Sequence, residues 1–183
     1  MGFAYVGRNV RLSYKASYYG CARTSIGDGS RIDDFCVLSA GEGGISIGRY
    51  VHIAVGVTLI GRASIRVDDF CGLSGRVAVY SSSDDYSGSA MVGPTIPEQF
   101  TKVRHAPVHL EKHVIVGAGS VVLPGVVLHE GAAVGALSTV TKTCEPFSIY
   151  LGAPAKLLKR RRRDLLNKEE AFLAYLQEQE TDQ

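Results

Sequence analysis

The stretch that decides the fold is LEKHVI VGAGSV VLPGVV LHEGAA VGALST VTKTCE, residues 110–145, which divides into six hexads without a break. Each hexad opens with an aliphatic residue, and its fifth place is mostly small or β-branched. Because alternate residues of a strand share a face, both places would point to the same side. The opening residues are Leu110, Val116, Val122, Leu128, Val134 and Val140, and the fifth-place residues are Val114, Ser120, Val126, Ala132 and Ser138. VGAGSV and VGALST stand three hexads apart and are nearly identical, so three hexads form one repeating unit.

The same rule recurs nearer the N-terminus, with changes of phase between runs. The residues that open these hexads are Ile26, Ile32, Leu38, Ile47, Ile53, Leu59, Val67, Leu73 and Val79. Where the phase changes, we expect short insertions at corners. Three short strands and three turns close a triangular coil, and stacked coils place aliphatic ladders inside it. An antiparallel sandwich is the alternative, but chance turns would rarely keep one phase over six hexads. The sequence therefore predicts a mainly β protein, a left-handed parallel β-helix (a hexapeptide-repeat prism).

The composition is that of one globular domain: 183 residues, of which 45% are hydrophobic and 21% charged. A net charge of +2 gives no general footprint for nucleic acid, so we expect no such partner. The four cysteines form no C-x-x-C pair, which favours buried, reduced thiols over a zinc or redox site. No signal sequence opens the chain, and no stretch reaches the roughly 18–20 apolar residues that cross a bilayer. We therefore expect a cytoplasmic protein without a membrane span.

Two segments depart from the repeat. Residues 80–109 are rich in Ser, Gly, Pro and Asp, and they predict an extended loop within the β-helix domain, residues 1–160. Long loops on rigid scaffolds are commonly functional, and the apolar side chains of this loop indicate packing against a neighbouring subunit.

The second departure is the tail, residues 161–183, which we expect to form a basic segment and a C-terminal amphipathic helix. The apolar residues at helical spacing are Leu165, Phe172, Leu173 and Leu176. We expect this helix to cap the open end of the prism, where sheet edges would otherwise be exposed. The basic run at residues 160–163 is either an anion-binding strip or a solvated basic face.

With the hexads and the tail together, the chain resembles the hexapeptide-repeat acyltransferases, and most of all the galactoside, maltose and sugar O-acetyltransferase branch. The residues that carry the resemblance are VIVGAGSVVLPGVVLHEGAAVGALSTVTK (114–142) and YLGAPAKLLK (150–159). It implies that acetyl-CoA binds along the outside of the prism, in a groove between two subunits of a homotrimer. No metal is expected.

The resemblance also implies which residues contact the donor. Gly117, Ala118 and Ala136 are at turns that would line the pantetheine arm, and Thr141 and Lys142 are near its far end. The lysines after G-x-P-A would approach the nucleotide phosphates, for which ammonium groups are suited point charges. They are Lys156 and Lys159.

The catalytic base does not carry over from the family, because the expected G-H-P-V-H segment is replaced by SSSDDY at residues 81–86. Histidine is the natural base, since its unperturbed pKa is near 6.5. We rank His52 first and His113 second. Asp84 stands where the family's histidine would be, and would act either as the base or as the carboxylate partner of His52. Asp85 and Tyr86 are candidates for binding the sugar.

The expected reaction is direct acetyl transfer, in a ternary complex, to a hydroxyl or amino group of a sugar, a nucleotide-linked sugar or a surface-polysaccharide sugar. The alternatives are a metalloprotein like the γ-type carbonic anhydrases, for which His105, His109 and His113 stand four residues apart, and a non-catalytic scaffold. Retention of the V-T-K and G-x-P-A blocks disfavours the scaffold.

Overall fold

The computed structural model of the chain describes residues 2–181, which form a parallel β-helix of about seven turns. The strands of the first four turns are β1 (Tyr5–Val6), β2 (Arg11–Leu12), β3 (Ser17–Tyr19), β4 (Thr24–Ile26), β5 (Arg31–Ile32), β6 (Val37–Ala40), β7 (Ile45–Ile47), β8 (His52–Ile53), β9 (Thr58–Gly61), β10 (Ile65–Val67), β11 (Gly72–Leu73) and β12 (Ala78–Tyr80). The extended loop follows, with β13 (Ser82–Ser83) and β14 (Arg104–His105) paired antiparallel.

The remaining turns continue the same pattern. Their strands are β15 (Val108–Leu110), β16 (Ile115–Val116), β17 (Val121–Val122), β18 (Val127–Leu128), β19 (Ala133–Val134), β20 (Thr139–Val140), β21 (Ser148–Leu151) and β22 (Lys156–Arg160), and the helix α1 spans Leu165–Thr181. The first, second and third strands of successive turns stack into three parallel sheets, here named A, B and C. β21 extends sheet B, and β22 pairs with it antiparallel. The predicted fold class is therefore confirmed.

The interior of the prism is formed by the residues that the hexad rule selects. The hexad-opening positions are buried along the whole stack, from Ile26 to Val140, and so are the fifth-place residues of the C-terminal run, from Val114 to Ser138. Cys36, Cys71 and Cys144 fill interior positions as free thiols, and burial raises the pKa of the Cys71 thiol to about 12. A neutral thiol behaves here as a small apolar side chain.

The changes of phase all fall at one corner, the C–A corner, where the third strand of a turn leads to the first strand of the next. The irregular steps run from Tyr18 to Ile26, Leu38 to Ile47, Leu59 to Val67 and Val79 to Leu110. The last of them contains the extended loop. The predicted insertions are therefore confirmed, and the loop is the largest insertion at a corner that already tolerates extra residues.

The helix α1 does not cap the end of the prism, so that expectation is wrong. It packs along the A–B corner, between the first and second strands, where left-handed residues of successive turns stack. The Phe172 ring meets Tyr50 and Phe70 edge-on, with centroids 5.0 and 6.2 Å apart. Tyr50 stacks on Phe70, which stacks on His113, at 5.5 and 5.3 Å. A helix with one apolar face gains more by covering this aromatic ladder than by covering strand ends.

Among the described residues, helices long and apolar enough to cross a bilayer are absent. β22 ends at Arg160, and a short segment leads from it to α1.

Candidate active site

The outer face of sheet B carries a recess of about 290 Å³ beside His52. Its lining residues are His52, Ala54, Gly72, Leu73, Ser74, Gly75 and Ile115. His52, Gly72 and Ile115 are register partners on neighbouring strands, so they point outward side by side. Gly72 lacks a side chain, and the recess lies above it.

His52 is held by a carboxylate from the preceding turn. Its Nε2 lies 2.8 Å from Oδ2 of Asp33, whose Oδ1 accepts a hydrogen bond from Nε of Arg31. Partial burial raises the pKa of Asp33, but the hydrogen bonds from His52 and Arg31 outweigh it and lower that pKa below its ordinary value. An ionised Asp33 can only accept, so Nε2 of His52 donates to it, and Nδ1 of His52 has no hydrogen-bond partner within the described residues. The carboxylate partner of His52 is thus Asp33 and not Asp84.

The B–C corner, between the second and third strands, borders the recess and carries the three predicted pantetheine contacts. An added Cβ at Gly117 would lie 2.4 Å from the backbone nitrogen of Ala136, so the coil requires that glycine for packing alone. The N–H groups of Gly75, Ala118 and Ala136 donate no hydrogen bond within the described part of the chain. These amides can therefore bind ligand carbonyls along the corner.

The extended loop forms a second and larger pocket, of about 580 Å³, at the C–A corner. Its lining residues are Ser83, Asp84, Asp85, Tyr86, Lys102, Val103, Arg104, Leu123, Pro124 and Thr141. The structure thereby brings Thr141 together with the three predicted loop residues, and Lys142 follows at the same corner. Lys102 and Arg104 form no ion pair within residues 2–181, so they can pair with phosphate groups.

The three predicted loop residues differ in their hydrogen bonds and in their exposure. The carboxylate of Asp85 accepts hydrogen bonds from Ser87 and Ser89, and these bonds, with those from Ser87 the largest, lower its pKa to about 2. Asp85 therefore closes a turn within the loop. Asp84 is exposed and accepts a 3.2 Å hydrogen bond from the backbone of Gly93, which leaves its other oxygen open. Tyr86 is 92% exposed.

The two pockets lie at different corners of the prism. The recess beside His52 is on sheet B and at the B–C corner, whereas the loop pocket is at the C–A corner, with all of sheet C between them. Within one chain, the structure therefore does not bring Asp84 to His52.

His113 lies at neither pocket. It occupies the A–B corner at φ 63°, is 9% exposed, stacks on Phe70, and its Nε2 lies 2.7 Å from Oε2 of Glu169 in α1. Lys112 also pairs with Glu169.

The other histidines have separate partners. His105 bonds Ser82, His109 bonds Asp68 and His129 bonds Glu111. Within the described residues there is no group of three or more His, Cys, Asp or Glu side chains that could hold a metal ion. His105, His109 and His113 in particular face three different elements.

The basic tail is partly structural. Arg161 donates hydrogen bonds of 3.0 and 2.9 Å to the carbonyls of His113 and Gly131, and Arg163 lies over the Phe147 ring. Lys156 and Lys159 are exposed on β22, at the C-terminal end of sheet B. The two lysines are therefore accessible to an anion, and their contact with the nucleotide phosphates stays a prediction.

The sequence analysis did not select three residues that the structure places in or beside the recess. They are Asp33, Ser74 and Ile115. The hexads could have indicated Asp33. Ile32 and Ile53 occupy the same place in successive turns. Asp33 directly follows Ile32 and His52 directly precedes Ile53, so the two side chains lie at neighbouring strands. Ser74 and Ile115 gave no such signal, because the loop separates their turns by many residues in sequence.

No protein-family model matches the chain. It is 51% identical, over 94% of its length and 90% of the relative's, to dTDP-4-amino-4,6-dideoxy-D-glucose acyltransferase of Escherichia coli. It is 44% identical to AntD, an N-acyltransferase from Bacillus cereus. The structure of AntD with dTDP and 3-hydroxybutyryl-CoA superposes with a TM-score of 0.91, covering 96% of this chain and 93% of that one.

An AntD variant in complex with dTDP-4-amino-4,6-dideoxyglucose and coenzyme A gives a TM-score of 0.93, over 96% of this chain and 92% of that chain. A maltose O-acetyltransferase from Clostridium difficile 630 is only 16% identical, over 88% of this chain and 72% of its own, with a TM-score of 0.60, and shares the fold alone. The resemblance to hexapeptide-repeat acyltransferases is confirmed, and the relatives of high identity are N-acyltransferases. The chain therefore belongs to the family of coenzyme A-dependent sugar acyltransferases that are built from hexapeptide repeats.

Proposed function

We propose that the chain transfers a short acyl group, such as acetyl, from a coenzyme A thioester to the 4-amino group of a dTDP-linked 4,6-dideoxy sugar. The observation that carries the proposal is the 51% identity, over 94% of the chain, to an acyltransferase of that nucleotide sugar. Complexes of AntD with the same amino sugar and coenzyme A support it. An amine acceptor is also consistent with a site that lacks the family's loop histidine, because a neutral amine needs less activation than a hydroxyl.

The amine nitrogen would attack the thioester carbonyl carbon to form a tetrahedral intermediate. The C–S bond then breaks, the coenzyme A thiolate takes up a proton, and the new amide nitrogen gives one up. We place the thioester at the B–C corner, where the free N–H groups of Gly75 and Ala118 can bind the developing oxyanion. Along the same corner Gly117, Ala118 and Ala136 would line the pantetheine arm, and Lys156 and Lys159 would meet the nucleotide phosphates.

For the base we propose His52, through Nδ1, with Asp33 holding the ring by the 2.8 Å hydrogen bond. Asp84 is the second candidate, contributed by a neighbouring copy. His113 we assign to docking of α1, because its Nε2 is already bonded to Glu169. Asp85, already bonded within the loop, would shape the loop pocket, and Tyr86 would contact the acceptor.

We propose a homotrimer in which the C–A corner of one copy meets the B–C corner of the next. The separation of the two pockets supports it, because a site that uses both needs two chains. The exposed apolar side chains fall into two groups. In the loop they are Tyr86, Met91, Val92 and Phe100, and at the B–C corner they are Tyr14, Phe35, Val55 and Leu137. Docking one group on the other would bury both, and would place Thr141 and Lys142 beside the neighbour's donor groove.

We propose that the protein works in the cytoplasm, where acyl-CoA is available and free thiols such as the buried Cys36 and Cys71 persist. The product, an N-acylated nucleotide sugar, would be consumed by a glycosyl-transfer reaction, as in the assembly of a polysaccharide.

The test is an assay of purified protein with acetyl-CoA and dTDP-4-amino-4,6-dideoxyglucose, following thiol release and the mass of the nucleotide sugar. We expect stoichiometric thiol and N-acetyl product, and none with dTDP-glucose, which carries a hydroxyl in place of the amine and a second hydroxyl at C6. Thiol release with dTDP-glucose at an equal rate, or binding of acetyl-CoA without transfer to any amino-sugar nucleotide, would overturn the proposal. Replacing acetyl-CoA with 3-hydroxybutyryl-CoA measures the acyl length that the site accepts.

A further inference from the structure

The extended loop is fixed to the prism at its two ends. The buried hydroxyl of Ser81 donates a 2.6 Å hydrogen bond to the carbonyl of Ala63. Beside it, the hydroxyl of Ser82 accepts a 2.8 Å hydrogen bond from the backbone N–H of Arg62. At the far end of the loop, the N–H of Ala106 bonds the carbonyl of Ser81. Both ends of the loop are therefore held against the corner of the preceding turn, between β9 and β10.

The part of the loop between these ends, residues 84–103, is here named the tethered segment. Within the described residues, its hydrogen bonds join loop residues to each other, with one exception. The exception is Glu98, whose Oε1 accepts a 2.8 Å hydrogen bond from Nη1 of Arg62. In the part of the chain that the structure describes, this ion pair is thus the single polar contact between the tethered segment and the prism.

Arg62 is itself held from the opposite side. Its Nη2 lies 3.0 Å from Oε1 of Glu42, at the same corner one turn earlier. Two carboxylates therefore share one guanidinium, and its planar arrangement of donors fixes the direction of both contacts. The Arg62 side chain is 44% exposed, so each pair contributes little to the stability of the prism. The pair with Glu98 instead sets how the tethered segment leaves the corner.

We propose that Arg62 is a positioning residue for the acceptor side of the reaction and acts through Glu98. This rests on the proposed function. Asp84, Tyr86 and Lys102 belong to the tethered segment and line the loop pocket. A segment that moves away from the corner takes these side chains out of the pocket. The donor contacts proposed above lie on the coils, so the same movement leaves the donor groove unchanged.

The kinetic experiment compares wild type with Arg62→Gln, Glu98→Gln and the double variant, measuring kcat, both KM values, Tm and oligomeric mass. We expect each single variant to raise the KM for dTDP-4-amino-4,6-dideoxyglucose about two- to fivefold, the range that an exposed ion pair supports. The kcat, the acetyl-CoA KM and Tm stay near wild type, because saturating sugar nucleotide restores the competent loop conformation. The double variant shows no further rise, since both changes remove one contact.

The matched control is Glu42→Gln. It removes the contact of Arg62 with the preceding corner and keeps the contact with Glu98, so it leaves both KM values unchanged. A rise in the sugar-nucleotide KM equal to that of Glu98→Gln would mean that the charge of the corner, and not the tether, is responsible.

Hydrogen exchange of the free protein tests the tether without turnover. We expect the hydrogen-bonded amides of the tethered segment, such as Met91 and Gly93, to exchange faster in Arg62→Gln and Glu98→Gln than in wild type. Amides of the prism strands exchange at wild-type rates in both variants.

Several results overturn the proposal: unchanged exchange in the tethered segment, an unchanged sugar-nucleotide KM, an equal rise in the acetyl-CoA KM, or losses that add in the double variant. Loss of oligomeric mass also overturns it, because Arg62 would then serve assembly. Wild-type turnover is measured first. Its absence overturns the proposed function and the kinetic role of Arg62 together, whereas turnover with an unchanged KM in the variants overturns the role of Arg62 alone.

Discussion

His113 in the fifth turn of the β-helix and Glu169 in α1 are joined by a 2.7 Å hydrogen bond between Nε2 and Oε2. Lys112 reaches the other oxygen of the same carboxylate. The pair lies under the helix, at the end of the aromatic ladder that Tyr50 and Phe70 begin. One mostly buried carboxylate therefore ties the tail to the middle of the prism.

Replacing that carboxylate should loosen the tail. We expect Glu169→Gln to lower the free energy of unfolding by about 1–2 kcal/mol, because a charge-assisted hydrogen bond and an ion pair become weaker neutral contacts. Glu170→Gln, one residue along on the exposed face, is the control and should change stability by less than about 0.5 kcal/mol. Urea denaturation followed by circular dichroism measures both; equal losses in the two variants would contradict the anchoring role.

The contribution of Glu169 should depend on pH in a definite direction. Partial burial raises its pKa, but the hydrogen bonds from Lys112 and His113 lower the pKa below its ordinary value of 4.5. A depressed folded-state pKa stabilises the fold above the unfolded-state value, and that stabilisation is lost as the pH falls through the folded-state pKa. The stability difference between wild type and Glu169→Gln should thus be full at neutral pH and shrink below about pH 4.5. A difference that grows on acidification would refute it.

Arg161 should matter for geometry as well as charge. Its Nη1 donates to the carbonyls of His113 and Gly131 in neighbouring turns, and the shorter lysine side chain would not bring its ammonium to the position of Nη1. We expect Arg161→Lys and Arg161→Ala to lower the unfolding free energy by similar amounts, about 1–3 kcal/mol, because each leaves a partly buried carbonyl without its donor. Full stability of Arg161→Lys would show that charge alone suffices. Arg162→Ala, whose side chain is 89% exposed, is the control.

Asp33 should influence the rate through the orientation of His52. We expect Asp33→Asn to reduce kcat about tenfold with little change in either KM, and His52→Ala to reduce kcat about a hundredfold or more. Asp34→Asn is the matched control, because the adjacent Asp34 bonds Ser13 and Lys15 instead. Steady-state kinetics across pH checks the assignment. If Asp84→Asn abolishes turnover while His52→Ala retains it, the base is Asp84.

Complementation between chains should reveal a shared site. His52→Ala chains retain Asp84, and Asp84→Asn chains retain His52, so a mixed trimer contains an intact junction where the two intact residues meet. If each variant alone is nearly inactive, so that both residues are needed, co-expression should restore activity to at most about a third of the sites of a mixed trimer. Absence of recovery in mixed trimers, isolated by two affinity tags, would place both residues in a site within one chain or remove one of them from catalysis.

The hexads were enough to predict the β-helix, its inward ladders and the loop at residues 80–109, because each depends on local alternation and turn chemistry. The helix was also predicted, but its place was not. Leu165 and Phe172 show that it has an apolar face, whereas the aromatic ladder that receives this face is assembled from residues of three different turns.

The candidate site, like the helix, could be predicted from the sequence only in part. The residues that we propose for the donor side, such as Ala118 and Lys159, come from short C-terminal blocks that resemble the family. The carboxylate partners of His52 and His113 could not be predicted, because Asp33 lies on the preceding coil and Glu169 lies on α1, and only the tertiary structure brings them alongside. A repeat pattern fixes the step between coils but not the chemistry of outward residues, which vary without a period.

The sequence by itself determined the prism, since six-residue periodicity selects which side chains face inward and burial of those side chains drives folding. Only the tertiary structure decided that Asp33 holds His52, that Glu169 holds His113, and that the two pockets lie at different corners. The physical reason is that stacking brings residues about twenty or more positions apart into contact at roughly 4.8 Å per coil, while residues close in sequence turn to different faces of the triangle.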